Sequence, residues 1–375
     1  MESNRLVMPE YDGRSLYNLS HTVIKTLELP TNKITLKEVP IDGKKLSLVV
    51  VDGFGYNVAE SIGEVEGLYG LMTSVFPSIT TTALSTIMTG LLPGEHGILG
   101  GTTYVKKLGS VIDNFRYASC YSGTKDSLKE ISPMKDLYKT TDIVERATEI
   151  NKKCAIISPE FTANSELSNI TQSRGGDHFY FHSLWDAIYF YDKALKNGYD
   201  FVYLYIPFLD KLSHIYGPLS TQSKECARDI LAKVSSVAKQ YLNEYRTIVT
   251  SDHGHIQAKK SVYLSEDQSI KNEITIPPFG STRSSFISGS SKLLEILNNK
   301  YPTMRIWDST KQNLKTLLGS SDCMYLTSFD YIGVPMNEDS FFYEGTNDEG
   351  NTINFRGRHG GLLADEMLIP LIIYD

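Results

Sequence analysis

Four short apolar runs, each giving way to a polar or turn-forming segment, constrain this chain more than any other feature: KLSLVVV at 45–51, CAIIS at 154–158, FVYLYI at 201–206 and RTIVTS at 246–251. The first is rich in β-branched residues and lies between Gly43 and DGFG, so it reads as a fully buried strand with Asp52 at its carboxyl end. Helical patterns separate the runs: Trp185 to Lys196, and about Lys224 to Tyr245, where Ile230, Leu231, Val234, Val237, Ala238 and Leu242 recur at helical spacing. This alternation predicts an α/β fold with a mainly parallel central sheet and helices on both faces. Such sheets bind ligands beyond the carboxyl ends of their strands, and Asp52, Asp210 and Asp252 all fall there. A last run, MLIPLIIYD, closes the chain as a strand, expected at a sheet edge because Pro370 cannot donate a ladder hydrogen bond.

The 375 residues allow one large α/β core with insertions. Residues 258–345, with Pro277-Pro278 and GSTRSSFISGSS, read as a small inserted cap in a core of 1–257 and 346–375; 100–150 is a second candidate insertion. A formal charge of −7 offers no global positive field for a long nucleic acid, though a small nucleotide is compatible with it. Cys120, Cys154, Cys226 and Cys323 are scattered without disulfide or metal spacing and read as reduced packing residues. No apolar leader follows the N-terminus and no stretch of about 18 apolar residues occurs, so the expectation is a cytoplasmic protein with no membrane partner. Oligomeric state has no signature here.

The chemistry is concentrated in a few segments. Asp210 and His214 in FLDKLSHIYGP stand four apart, so one helix face can aim both at a metal; an exposed ion pair is the alternative. Asp252 and His253 leave a strand end together in SDHG, where a simple turn is the alternative. His359 sits in RGRHGGLL, whose glycines permit close backbone approach. With Asp52 the set holds three carboxylates and three imidazoles, a mixed oxygen and nitrogen shell suited to zinc or a similar divalent ion, and large enough for two. Thr80, Thr81 and Thr82 open the helical run ALSTIMTGLL, placing a hydroxyl where free N–H groups and the helix dipole favour phosphate; plain N-capping is the alternative. His96, His178 and His182 read as structural, and His255 as a residue that could support the ligands from behind.

Taken in order, VVVDGFG, PSITTTALSTIMTG with GEHGI, YIPFLDKLSHIYGP, SDHG, and HGG with EMLIPLI resemble the metal-site motifs of the alkaline phosphatase superfamily, in its type I phosphodiesterase/nucleotide pyrophosphatase branch. The early MPEYDGRSLYNL resembles prokaryotic members, and the motifs span almost the whole chain. The resemblance implies an alkaline-phosphatase-like fold and two divalent metals, zinc foremost, with manganese or another divalent ion as the alternative. It implies that Asp52, Thr80, Asp252 and His253 hold one ion and Asp210, His214 and His359 the other, with Thr80 as nucleophile ten residues before Gly90. Thr81 and Thr82 are its fallbacks, and Thr81 and Arg283 are the substrate-contact candidates, with an ion pair the competing reading for Arg283. Many diesterase relatives carry asparagine three residues after the nucleophile, where this chain has Ala83, which leaves the oxyanion contact unassigned.

The expected activity is cleavage of phosphate diester or pyrophosphate bonds in a small substrate through a phosphothreonine. Phosphomonoesterase and phosphonate hydrolase activity on the same site are the alternatives, followed by a non-catalytic metal-binding scaffold. Sulfatase chemistry is disfavoured by the absence of a cysteine motif at the nucleophile, and a phosphoglycerate mutase by threonine where serine is expected.

Overall fold

The structure is a computed structural model that describes residues 5–121, 124–138, 140–163, 165–172, 174–343 and 355–375. Seven strands form the central sheet: β1 Lys45–Val51, β2 Leu68–Thr73, β3 Cys154–Pro159, β4 Asp177–Phe181, β5 Phe201–Ile206, β6 Tyr245–Thr250 and β7 Leu368–Tyr374. Their order is β2-β7-β6-β1-β5-β3-β4. The pairs from β6 to β4 are parallel, whereas β7 is antiparallel to both β6 and β2, so β7 alone runs against the rest.

Strand periodicity explains the layers. Leu46, Leu48 and Val50 of β1 join one apolar cluster with helix α1 (Leu16–Thr26) and helix α2 (Thr80–Thr89). Val49 and Val51 join another with helix α3 (Leu184–Lys196) and, after helix α4 (Phe208–Tyr216), helix α5 (Thr221–Ala238). Successive side chains point to opposite faces, so a strand covered on both sides must be apolar throughout. Ser183 caps α3 by accepting from the Asp186 amide, while α5 stops at Ala238, short of the predicted Tyr245. There the chain tightens into a 3-10 turn, Lys239–Tyr241, to feed β6.

The expectation that the last strand lies at an edge is corrected: β7 is second from the edge, covered by β2. Its ladder with β6 covers only Ile372–Tyr374, and the Pro370 carbonyl turns to that same side to accept from Thr250 Oγ1 at 2.7 Å. Pro370 therefore faces β6 beyond the ladder, where its missing N–H breaks no strand bond.

Between 258 and 343 lies a four-stranded antiparallel sheet (Ile274–Ser281, Ser284–Gly289, Tyr331–Pro335, Met304–Asp308), and between 100 and 138 a three-stranded one (Thr102–Val105, Ser110–Asp113, Ala118–Ser119). The expected boundary at 345/346 lies outside the described residues. The two small sheets meet: the Gly280 amide donates to Thr102 Oγ1 at 2.9 Å, and a Cβ on Gly100 would lie 2.7 Å from the Gly280 carbonyl. Leu99, Phe279, Phe286 and Leu362 share one apolar cluster, so the four-stranded sheet packs against the loops after α2 and before β7. All four cysteines are free. Among the described residues, no helix is long and apolar enough to cross a membrane.

Candidate active site

Two strand ends build the first half of the site. After β1 the chain turns through Asp52-Gly53-Phe54, with Gly53 at φ +73°, and hooks onto the segment that follows β6. The Gly53 amide donates to Asp252 Oδ1 at 3.1 Å and the Phe54 amide to Ser251 Oγ at 2.8 Å. Asp252 Oδ1 also receives the His253 amide at 2.9 Å and the Ser251 hydroxyl at 3.2 Å. Its other oxygen, Oδ2, is buried without a hydrogen-bond partner. Asp52 is divided in the same way: Oδ2 accepts from the Tyr205 hydroxyl and Oδ1 has none. Both free oxygens face His253 Nε2, at 3.4 Å from Asp52 and 3.3 Å from Asp252.

The second half comes from α4 and from the loop before β7. One helical turn brings Asp210 Oδ1 to 3.3 Å from His214 Nε2, and Oδ1 again lacks a hydrogen-bond partner. His359 Nε2 lies 3.8 Å from the same oxygen, and its ring stacks on His253 at 3.7 Å. His214 Nδ1 donates to the Gly357 carbonyl at 2.8 Å, His359 Nδ1 to the Ser78 carbonyl at 3.2 Å, and His253 Nδ1 to the Gly254 carbonyl at 3.2 Å. A carbonyl can only accept, so each Nδ1 bears a proton and each Nε2 is the nitrogen turned inward, as in metal-bound histidines.

Burial, with Asp252 and Asp210 close by, raises the Asp52 carboxyl well above the ordinary carboxylate range. Burial also pushes Asp210 upward, but the charge and contact of His214, then His255, outweigh it and hold that carboxyl well below the range. Burial lowers His359 far below the ordinary imidazole value, and the neighbouring histidines add to this. Among the described residues no lysine or arginine forms an ion pair with any of the three aspartates. Two buried carboxylates and a half-buried one, each with an orphaned oxygen facing imidazole nitrogens, fit divalent ions bound through oxygen and nitrogen.

Thr80 begins α2, whose N-cap is Ile79 with no side-chain cap, so the threonines are not there for N-capping. Thr80 Oγ1 is half-exposed to the cavity and 3.1 Å from His253 Nε2. Thr82 is turned away, donating to the Ile98 carbonyl at 2.9 Å, and the buried Thr81 hydroxyl has no hydrogen-bond partner. Ala83 is in the core beneath α2, so that position presents no side chain to the cavity. The cavity, about 950 Å³, is lined by Thr80, Asp52 and Asp210 at its floor and by Phe115, Phe161 and Lys211 among its walls.

Arg283 is not placed to touch a substrate. It is fully buried; Nε and Nη2 donate to Glu366 at 3.0 and 2.8 Å, and Nη1 to the carbonyls of Asn337 and Asp339. It is instead the structural ion pair of the competing reading, buried rather than on the surface, with its donors occupied as a guanidinium so far from water requires. His96 is structural, bonded to Thr86 Oγ1 and the Ile98 amide, each at 3.1 Å. His182 is exposed rather than packed; it pairs with Glu160 at 3.1 Å and lines the cavity mouth. His255, read as a possible support for the ligands, is fully buried with Nε2 3.1 Å from Asp210 Oδ1, where the alternation His253, Gly254, His255 after a strand end carries it; one neighbour of the site was missed. Tyr205, which holds Asp52, was hidden among the apolar positions of FVYLYI.

The sequence profile of the family described as type I phosphodiesterase/nucleotide pyrophosphatase matches residues 48–309. No curated protein sequence matches the chain. Among solved structures, murine ectonucleotide pyrophosphatase/phosphodiesterase 5, an inactive form in complex with AMP, superposes with a TM-score of 0.65 at 17% identity, over 88% of this chain and 87% of that one. The human protein of the same name gives 0.64 at 18% identity, over 88% of each chain. Phosphonoacetate hydrolase from Sinorhizobium meliloti 1021, in complex with phosphonoformate, gives 0.62 at 14% identity, over 88% of this chain and 89% of that one. At these identities the likeness establishes the fold.

Proposed function

The chain belongs to the type I phosphodiesterase/nucleotide pyrophosphatase family of the alkaline phosphatase superfamily, and from that premise we propose that it hydrolyses phosphate diester or pyrophosphate bonds of small substrates, nucleotides among them, through a phosphothreonine on Thr80. One observation supports this above the others: the Thr80 hydroxyl, at an uncapped helix N-terminus, meets the same His253 Nε2 that faces the orphaned oxygens of Asp52 and Asp252.

Asp52, Thr80, Asp252 and His253 would hold one divalent ion, and Asp210, His214 and His359 the other. When bound, two such ions, zinc or manganese in class, supply Lewis-acid charge that acidifies a hydroxyl and a water and neutralises phosphoryl oxygens. Thr80 Oγ1 attacks phosphorus in line, its proton passing to solvent water; the Oγ1–P bond forms and the bond to the leaving oxygen breaks, the electron pair departing with that oxygen. Free amides at the start of α2 hydrogen-bond the non-bridging oxygens, a task that the side chain at position 83 cannot perform. Tyr205 and the Gly53 amide hold Asp52 and Asp252 so that each keeps one oxygen facing inward. Water then breaks the Oγ1–P bond and returns Thr80, so two displacements give net retention at phosphorus. A phosphonate substrate is the second reading: Arg116 and Lys211 line the cavity, where a second anionic group would meet them. Four free cysteines suit a reducing compartment, which supports the cytosol.

The test compares hydrolysis of bis-p-nitrophenyl phosphate and p-nitrophenyl phosphate by metal-loaded wild type, by Thr80→Ala, and after EDTA. Diester turnover well above monoester turnover, lost in both controls, is the expected result. Unchanged activity in Thr80→Ala would remove the nucleophile, and monoester preference would make the protein a phosphatase.

A further inference from the structure

Within the two-metal reading, on which this step rests, His255 has no assigned part. Its imidazole is completely buried, yet neither ring nitrogen has a hydrogen-bond partner. Leaving such polar atoms bare in a protein interior is costly. Nε2 lies 3.1 Å from Asp210 Oδ1, but the two are not aligned as donor and acceptor, and Oδ1 is itself unpartnered. Two atoms that face each other this closely without bonding are placed as ligands to a common point would be. Asp210, His214, His255 and His359 each offer a ligand atom, and all four atoms lie within 4.8 Å of one another.

The space for this ring is built into the fold. A Cβ on Gly53 would stand 2.6 Å from His255 Cε1, so the DGFG turn that positions Asp52 also leaves room for the imidazole. The rings of His214 and His359 hold it on two sides, with centroids 4.9 and 4.8 Å away.

We propose that His255 is a fourth protein ligand, through Nε2, of the ion held by Asp210, His214 and His359. Four protein donors complete a tetrahedral zinc shell, whereas a catalytic ion must keep a position for water or substrate. Water or substrate would then bind this ion as a fifth ligand, and its three imidazoles would favour zinc or cobalt over manganese more than the oxygen-rich Asp52 site does.

The protein loaded with two equivalents of Co2+ tests this by proton NMR, since each coordinated imidazole that keeps its other N–H gives one strongly contact-shifted exchangeable resonance. Wild type is expected to show four, from His214, His253, His255 and His359. His255→Gln is expected to show three, with the visible absorption of the bound Co2+ altered and two ions still bound at excess metal. The wild-type count stands alone if the variant does not fold. Three resonances in wild type, or the same set and the same visible spectrum in His255→Gln, would overturn the assignment and leave His255 as a support for Asp210. Failure of wild type to take up two equivalents would instead refute the two-metal reading itself, and the inference with it.

Discussion

The two halves of the site reach the same chemistry by different constructions. Around Asp252 the scaffold is local: strand ends one ladder position apart exchange amide and hydroxyl hydrogen bonds, and three donors fix one carboxylate oxygen while the other is left free. Around Asp210 the donors come from a helix, from the segment after β6 and from a loop about 150 residues later in sequence, and what holds that loop is remote. Glu366 accepts from the amides of Gly361 and Leu363, at 2.9 and 3.2 Å, and is itself held by Arg283, in the turn between two strands of the four-stranded sheet. The first half follows from the twist and register of a parallel sheet. The second depends on the four-stranded sheet folding correctly against it.

The largest effect expected from breaking this contrast is at Asp252. Asp252→Ala removes an inward oxygen and strands three donors, so diester kcat/KM should fall by about 10³-fold or more, without rescue by added metal. His359→Ala should lose about 10²-fold and recover in part at excess metal, because Asp210, His214 and His255 remain. Steady-state kinetics across a metal titration distinguishes the two, and equal, unrescued losses would erase the distinction.

Arg283→Met should come next. It leaves Glu366 buried without its cation, a change that costs about 3–5 kcal/mol in unfolding free energy. In urea unfolding, the double variant Arg283→Met with Glu366→Gln should regain part of that loss. Below its unfolding temperature, the single variant should bind the second equivalent of metal more weakly and the first unchanged. Parallel weakening of both would show that the four-stranded sheet supports the whole site.

The smallest effect calibrates the scaffold common to both halves. Burial holds His96, beneath α2 and apart from the ligands, down to about 3, against 6.5 in an unfolded chain. The folded state therefore stays neutral where the unfolded chain gains a proton, and stability falls as pH drops below 6.5. At pH 5 this single group should contribute roughly 2 kcal/mol of loss relative to pH 7. Chemical unfolding at the two pH values, with His96→Gln as reference, measures it; an equal loss in the variant would assign the pH dependence to other groups.

How far the sequence could be read follows the same division. β1 and β5 begin and end where their apolar runs do, because a strand buried on both faces has to be apolar at every position. β2 and β4, the two edge strands, gave no such signal: LYGLMT is mostly half-exposed, and in DHFYF only Phe181 is fully buried. At the site, Asp210 with His214 was visible as a helical spacing and Asp252 with His253 as a strand-end pair. His255 was set behind the ligands because no local rule says which way the second histidine of HGH turns. Only the approach of Gly53 and α4 aims it at Asp210.

The amino-acid sequence by itself determined what depends on neighbours a few residues away: strand and helix periods, the residues that end them, and the oxygen and nitrogen chemistry waiting at those ends. Tertiary structure alone decided what depends on contacts across the chain. It placed β7 inside the edge despite Pro370, sealed Arg283 against Glu366, turned Thr82 away and Thr80 toward His253, and gathered four histidines around three aspartates. Dihedral preference and side-chain period act over one or two turns, whereas the meeting of residues 52, 210, 255 and 359 is set by how whole layers pack, and no stretch of sequence contains that information alone.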